Sequence, residues 1–240
     1  MQISVHENHE QLSQKASEIL LSSLEDTLLI KDRAIFIPSA GKSPTLLYKI
    51  LAEHKNRLDW QKIIVVQMDE YLSNNNDELS FKDYLNNNLI RPLKISNFLS
   101  LPKLSCNVVA KKYIDYHEQI IKDLGGIDIA LHGIGINGHI GFNEPGSLPD
   151  QASGVFVLAP STVSANQSSL SEQVCPPLGY SLGLKILAEA KKNIIIASGP
   201  SKKNAVQKLL DAKDYDYRLP ASILADKNTI FLTEKDLLNR

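Results

Sequence analysis

The chain has 240 residues, and 26 Lys and Arg against 27 Asp and Glu leave a formal net charge of −1. That length suits one α/β domain with a sizeable core, expected to span residues 1–240. Both signs of charge are scattered, which argues against a footprint for nucleic acid or acidic lipid, and no apolar run approaches a membrane span. The first residues, Met1-Gln-Ile-Ser-Val-His6, lack the basic-then-apolar pattern of a leader, so a soluble, cytoplasmic protein is expected. Cys106 and Cys175 have no CxxC spacing and read as reduced, partly buried thiols. No linker, repeat or low-complexity segment interrupts the chain, apart from two asparagine clusters at 74–76 and 86–88.

Along the chain, β-branched apolar runs alternate with amphipathic stretches. His9–Leu24 predicts a helix, because Leu12, Ala16, Ile19, Leu20, Leu21 and Leu24 recur at helical spacing on one face. Ala34–Pro38 then reads as a strand, Pro44–His54 as a helix, Ile63–Met68 as a strand and Ser80–Leu89 as a helix. Further on come helix Tyr113–Leu124, strand Asp128–Ile134, helix Gly183–Ala190, strand Asn193–Ser198, helix Lys202–Ala212 and strand Thr229–Leu232. This alternation predicts an α/β fold in three layers, a mostly parallel sheet with helices on both faces. Ligands of such sheets bind beyond the carboxyl ends of the strands. Three informative segments fall there, after Pro38, Met68 and Ile134.

The first is Ser39-Ala-Gly-Lys-Ser-Pro44, with Pro44 in the first turn of the following helix, where a missing N–H costs little. Free N–H groups, a glycine, a hydroxyl and a lysine suit a phosphate, although an ordinary strand–helix turn reads the same way. The P-loop spacing is absent. The second is Gln67-Met-Asp-Glu-Tyr71, whose acidic pair can hold a carboxylate ready to move a proton or can cap the next turn. The third is Gly133-Ile-Gly-Ile-Asn-Gly-His-Ile-Gly-Phe-Asn-Glu144. Its glycines carry the backbone out of a strand in conformations that a side chain obstructs, and it then offers one imidazole and one carboxylate. A histidine beside a carboxylate can accept and return a proton near neutral pH. A fourth segment, Gly199-Pro-Ser-Lys-Lys203, sets lysine at a helix start, which is unfavourable unless an anion lies near; a surface lysine is the bland alternative. His132 reads as a packed strand residue and His117 as a surface residue of its helix, and neither belongs to a metal-binding spacing.

The Gly133–Glu144 string, continuing into Pro145-Gly146, closely resembles the signature of the glucosamine-6-phosphate deaminase/isomerase family, which shares its fold with the 6-phosphogluconolactonases. The resemblance runs from the first helix to Leu219-Pro-Ala-Ser-Ile-Leu224. It implies that Asp69, in Met68-Asp-Glu-Tyr71, takes the proton from the carbon next to C1 of an amino sugar. It implies that His139 opens the pyranose ring, oriented and tuned by Glu144 and Asn137. Where many relatives have Asp, Asn137 supplies no negative charge, which leaves Glu144 to support the imidazolium. The phosphate falls to Ala40, Gly41, Lys42 and Ser43, and to Lys202 of a Gly-x-x-Lys motif.

Two departures touch substrate binding. The family's Thr-Gly-Ser/Gly-Thr-Pro loop here reads Ala40-Gly-Lys-Ser-Pro44, and no arginine follows the Ala165-Asn166 pair, so Lys42 is expected to supply the missing charge. Ser181-Leu-Gly-Leu-Lys-Ile-Leu187 and the Asn137-Gly-His139 string resemble the galactosamine-6-phosphate branch. The resemblance implies no metal and no organic cofactor, a small sugar phosphate as the only ligand, and no basic cluster for an allosteric phosphate. Association into a homo-oligomer is left open. A 6-phosphogluconolactonase and a non-catalytic sugar-phosphate sensor are the alternatives. Asn143-Glu-Pro145 and Met-Asp-Glu-Tyr argue against the first, and the absence of room for a DNA-binding module against the second.

Overall fold

A computed structural model describes residues 1–73, 80–167 and 174–239. In chain order the elements are β1 (Gln2–His6), α1 (His9–Ile30), β2 (Ala34–Ile37), α2 (Lys42–Glu53), β3 (Ile63–Val66), β4 (Asp69–Tyr71), α3 (Phe81–Leu85), α4 (Arg91–Leu93) and β5 (Phe98–Leu99). There follow α5 (Asn107–Asp123), β6 (Ile129–Gly133), β7 (Gly154–Val157), α6 (Pro160–Gln167), β8 (Leu178–Ser181), α7 (Leu184–Ala188), β9 (Lys192–Ala197), α8 (Lys203–Asp211) and β10 (Thr229–Glu234). Seven strands form a parallel sheet in the order β1-β10-β9-β6-β2-β3-β5. From β2 the chain winds outward to β3 and β5, and from β6 it winds the other way to β9 and β10. The winding therefore reverses between β2 and β6, and such a reversal opens a crevice at the carboxyl ends of the strands.

Each central strand is apolar on both faces. Phe36, Val65, Leu131 and Ile194 pack with Leu12, Leu20 and Leu24 of α1 and Leu47 of α2. Their neighbours Ile35, Val66, Ala130 and Ile195 face Ile114 of α5, Leu187 of α7 and Val206 of α8. Alternate residues point to opposite faces, so a continuous β-branched run is what a sheet covered on both sides requires. Leu20 is fully buried, and trimming it to alanine should cost roughly 2–5 kcal/mol. The start of α1 is fixed by Asn8, whose side chain accepts from the Gln11 N–H at 2.9 Å.

Several elements differ from expectation. The Ile63–Met68 run ends at Val66, and after a bend Asp69–Tyr71 joins an antiparallel sheet in the order β4-β8-β7. These strands are three or four residues long and mix charged, glycine and aromatic residues, so they carry neither a long apolar run nor clean alternation. β1, β5 and α6 were also not anticipated. The first helix continues to Ile30 because its last turn ends on exposed Leu29 and Ile30, which carry no core-facing signal. The Ser80–Leu89 stretch divides into α3, a π turn at Asn86–Ile90 and α4. The first asparagine cluster, 74–76, lies outside the described residues. His117 is not on the surface: it is buried on α5, and its Nε2–H donates to the Gln67 carbonyl at 3.0 Å. Cys106 is exposed, whereas Cys175 is buried.

Candidate active site

Beyond the carboxyl ends of β2, β3, β6 and β9 lies a cavity of about 700 Å³. Ala40, Gly41, Lys42, Ser43, Asp69, His139 and Lys202 all line it. Asn137 and Glu144 do not reach it and instead stand behind the His139 ring.

At one end, the loop after β2 turns its carbonyls into the protein. The hydroxyl of buried Tyr48 donates to the Ser39 carbonyl at 2.6 Å, and Tyr84 donates to that of Gly41 at 2.7 Å. His9 donates to that of Ser43 at 3.0 Å. Helix α2 starts at Lys42, two residues before the expected Pro44, and its N-cap Gly41 brings no side chain to bond the first N–H groups. These donors carry the positive end of the helix dipole. Lys202 approaches the same cavity from the turn before α8; burial lowers its pKa, and no carboxylate pairs with it among the described residues. Lys42 is exposed at the rim.

The acidic pair divides its two conceivable tasks. Glu70 accepts from the backbone N–H groups of Tyr71, Phe81 and Lys82, from the Ser80 hydroxyl and from the Gln67 amide. It is thus a buried cap that ties β4 to the start of α3. Asp69, its neighbour on a strand of alternating sides, faces the cavity. Burial, reinforced by the charge of Glu70, raises the Asp69 pKa to about 8.

His139 is held from behind. Its Nδ1 lies 2.9 Å from Asn137 Oδ1, 3.0 Å from Thr162 Oγ1 and 3.5 Å from Glu144 Oε2. The Asn137 amide turns its Nδ2 to Glu144 Oε2 at 2.8 Å, so it bridges imidazole and carboxylate. The second oxygen of Glu144 accepts from the Ala159 N–H at 3.1 Å. Burial would raise the Glu144 pKa, but the contacts with His139, Thr162 and Asn137 prevail and bring it to about 2. Of the strand-ending glycines, Gly138 has φ +87°, while Gly135 serves a close approach: a Cβ there would lie 2.3 Å from the His139 ring.

Sequence reasoning missed several neighbours of these groups. His9 was absorbed into the first helix, and Thr162 and Asn166 sit on α6, whose mixed composition gave no periodic signal. His132 is a packed residue, as expected, with Nε2 2.8 Å from Asn193 Oδ1. Among the described residues, no three His, Cys, Asp or Glu side chains gather as a metal site requires, and no helix is long and apolar enough to cross a membrane.

The chain is similar to known proteins. The family model for glucosamine-6-phosphate isomerases/6-phosphogluconolactonase matches residues 7–232. A glucosamine-6-phosphate deaminase of Clostridium novyi (strain NT) is 32% identical over 247 aligned residues that cover 100% of both chains. One from Malacoplasma penetrans (strain HF-2) is 29% identical and covers 93% of each. Among solved structures, a monomeric glucosamine-6-phosphate deaminase superposes with a TM-score of 0.90 at 28% identity, covering 100% of each chain. A 6-phosphogluconolactonase from Thermotoga maritima gives 0.76 at 21% identity, covering 98% of this chain and 99% of its own, a likeness of fold alone. The chain belongs to the family of glucosamine-6-phosphate isomerases and 6-phosphogluconolactonases.

Proposed function

We propose that residues 1–240 act as one catalytic domain that converts an amino-sugar 6-phosphate into a ketose 6-phosphate and ammonia. The observation that carries this reading is the placement of two proton-handling groups, His139 and Asp69, in one cavity that ends in an anion cradle. The phosphate docks on the N–H groups of Ala40–Ser43 and on Lys202, with Lys42 at the rim. His139 moves a proton from the anomeric hydroxyl to the ring oxygen through Nε2, the nitrogen turned from Asn137. The open aldehyde then loses its C2 proton to the Asp69 carboxylate while its C1 oxygen gains a proton given up by the C2 ammonium, and Asp69 returns its proton to C1 of the resulting enolamine. The resulting C2 iminium takes up water and releases ammonia, so one water is consumed for each ammonia formed.

At pH 7 a carboxyl of pKa about 8 is only about one-tenth ionised. The substrate's C2 ammonium brings a positive charge beside Asp69 and favours the ionised base. Each proton-transfer group contributes roughly 10²–10⁴-fold.

Glucosamine 6-phosphate is the first substrate to test, because it is the one for which the relatives are named. Galactosamine 6-phosphate is the runner-up, on the resemblance of Ser181–Leu187 and Asn137. The experiment is ammonia release from each amino sugar, with hydrolysis of 6-phosphogluconolactone measured alongside. Ammonia from either sugar establishes the reaction, and the ratio of kcat/KM values chooses between them. Rapid lactone hydrolysis without ammonia overturns the reading.

A further inference from the structure

Thr162 sits on α6, 23 residues beyond His139, and only 1% of it is exposed. A buried threonine in a helix commonly turns its hydroxyl to its own backbone. This one does not. Its Oγ1 lies 3.0 Å from His139 Nδ1 and 3.4 Å from Asn137 Nδ2.

The donors and acceptors fix the tautomer of the ring. An ionised carboxylate only accepts, so Asn137 turns its Nδ2–H to Glu144 at 2.8 Å and its Oδ1, which likewise only accepts, to His139 Nδ1. Nδ1 must therefore carry the proton, the neutral ring keeps its free lone pair on Nε2, and Thr162 Oγ1 stands as a second acceptor for the same N–H. The direct contact between His139 and Glu144 is 3.5 Å, too long for an effective hydrogen bond. The amide therefore carries the coupling between ring and carboxylate, and the hydroxyl holds the ring beside it. On one side the ring lies against Gly135, which leaves the hydroxyl and the amide to fix its remaining freedom.

We infer that Thr162 is a positioning residue for His139, whose hydroxyl oxygen accepts from Nδ1–H beside the Asn137 carbonyl and so holds the ring in the Nδ1–H tautomer with Nε2 free for the substrate. The inference rests on the role proposed above for His139. It assigns a task to a side chain that touches no cavity surface, so its effect should appear in turnover and not in substrate affinity.

The test compares Thr162→Val, which keeps the shape and loses the hydroxyl, with Thr162→Ser, which keeps the hydroxyl and loses a methyl. With glucosamine 6-phosphate, Thr162→Val should lower kcat about 10- to 100-fold and leave KM within about threefold, since a hydrogen bond that orients the ring is lost. Thr162→Ser should recover most of the parental kcat. Imidazole ¹⁵N spectra of the substrate-free protein supply a readout independent of activity. They should show a single Nδ1–H tautomer for His139 in the parent and in Thr162→Ser, and mixed tautomers in Thr162→Val. A valine variant with parental kcat and one tautomer overturns the inference. So does a serine variant as slow as the valine one, since the methyl contact would then be what matters. Should the parent release no ammonia from either amino sugar, the functional reading fails, and the spectra still decide the case of Thr162.

Discussion

Replacing Asp69 by asparagine should separate activity from stability, because the buried carboxyl serves the proposed reaction at the expense of the fold. Folding moves its pKa from 3.8 to about 8, chiefly through burial. The folded state thus prefers the neutral acid. The penalty for ionising it is absent below about pH 4, grows through the interval up to pH 8 and is constant above that. By pH 7 about three pH units at 1.4 kcal/mol each have accrued, so the ceiling is about 4 kcal/mol. Water reaching the carboxyl through the cavity reduces this, and a gain of about 1–4 kcal/mol is expected for the neutral, nearly isosteric amide. At this chain length each kcal/mol shifts Tm by about 2–4 °C. The assay is a series of thermal melts of parent and Asp69→Asn from pH 4.5 to 8, paired with ammonia release. The two melting curves should lie closest near pH 4.5 and diverge steadily toward pH 8, while turnover falls at least about 100-fold. A Tm difference independent of pH would refute the electrostatic reasoning, and substantial residual turnover would refute the role of Asp69.

Gly135→Ala places a methyl 2.3 Å from the His139 ring, so the ring must move; kcat should drop by two orders of magnitude or more, with a stability loss of about 1–3 kcal/mol in a denaturant titration. Lys202→Met should raise the Kd for inorganic phosphate, read by calorimetry, at least about tenfold with a parallel rise in KM, and Lys42→Met should do less because Lys42 stands exposed at the rim. His117 is buried neutral, with its pKa lowered from 6.5 to about 4 chiefly by burial. Its contribution is whole above pH 6.5 and is lost as pH falls toward 4, by roughly 3 kcal/mol in all. His117→Gln should flatten the acid limb of the stability profile, measured as urea midpoints between pH 6.5 and 4.

The fold was legible where burial on both faces writes itself as an uninterrupted apolar run. Ile63-Ile-Val-Val66 and Asn193-Ile-Ile-Ile-Ala197 could hardly be anything but central strands. What escaped notice were β4, β7 and β8, three or four residues each; β7 pairs with nearby β8, but β4 reaches β8 only across more than a hundred residues, Asp69 opposite Ser181. The residues lining the cavity were legible as loop segments at strand ends, because glycine, lysine and imidazole are conspicuous there. Thr162 was not, since one threonine among Pro-Ser-Thr-Val-Ser-Ala has no local signature and acquires its partners only when α6 folds against the Gly135–His139 turn. His117 misled for the opposite reason. It sits in a stretch rich in Lys, Tyr and Glu, and only the docking of α5 beneath Gln67 makes it a buried donor.

The carboxyls of Asp69, in the cavity, and of Glu144, behind the His139 ring, show how one small site supports acid and base chemistry together. Glu144 and Asp69 begin with similar intrinsic acidity, and both are removed from bulk water. Glu144 meets donors on each oxygen, from Ala159 and Asn137, and a histidine within 3.5 Å, so it stays charged down to about pH 2. Asp69 meets no such donors among the described residues, and the neighbouring Glu70 adds like charge, so its proton is retained to about pH 8. A pair of groups driven apart in this way is what a reaction needs when one must be a fixed negative charge and the other must exchange a proton. The asparagine at 137 fits the same logic. An aspartate there would stand 2.8 Å from Glu144 and bring two carboxylates into repulsion, whereas the amide donates to the carboxylate and accepts from the imidazole. In this chain the charge behind His139 is therefore concentrated on a single residue, and Asn137 transmits it without adding to it.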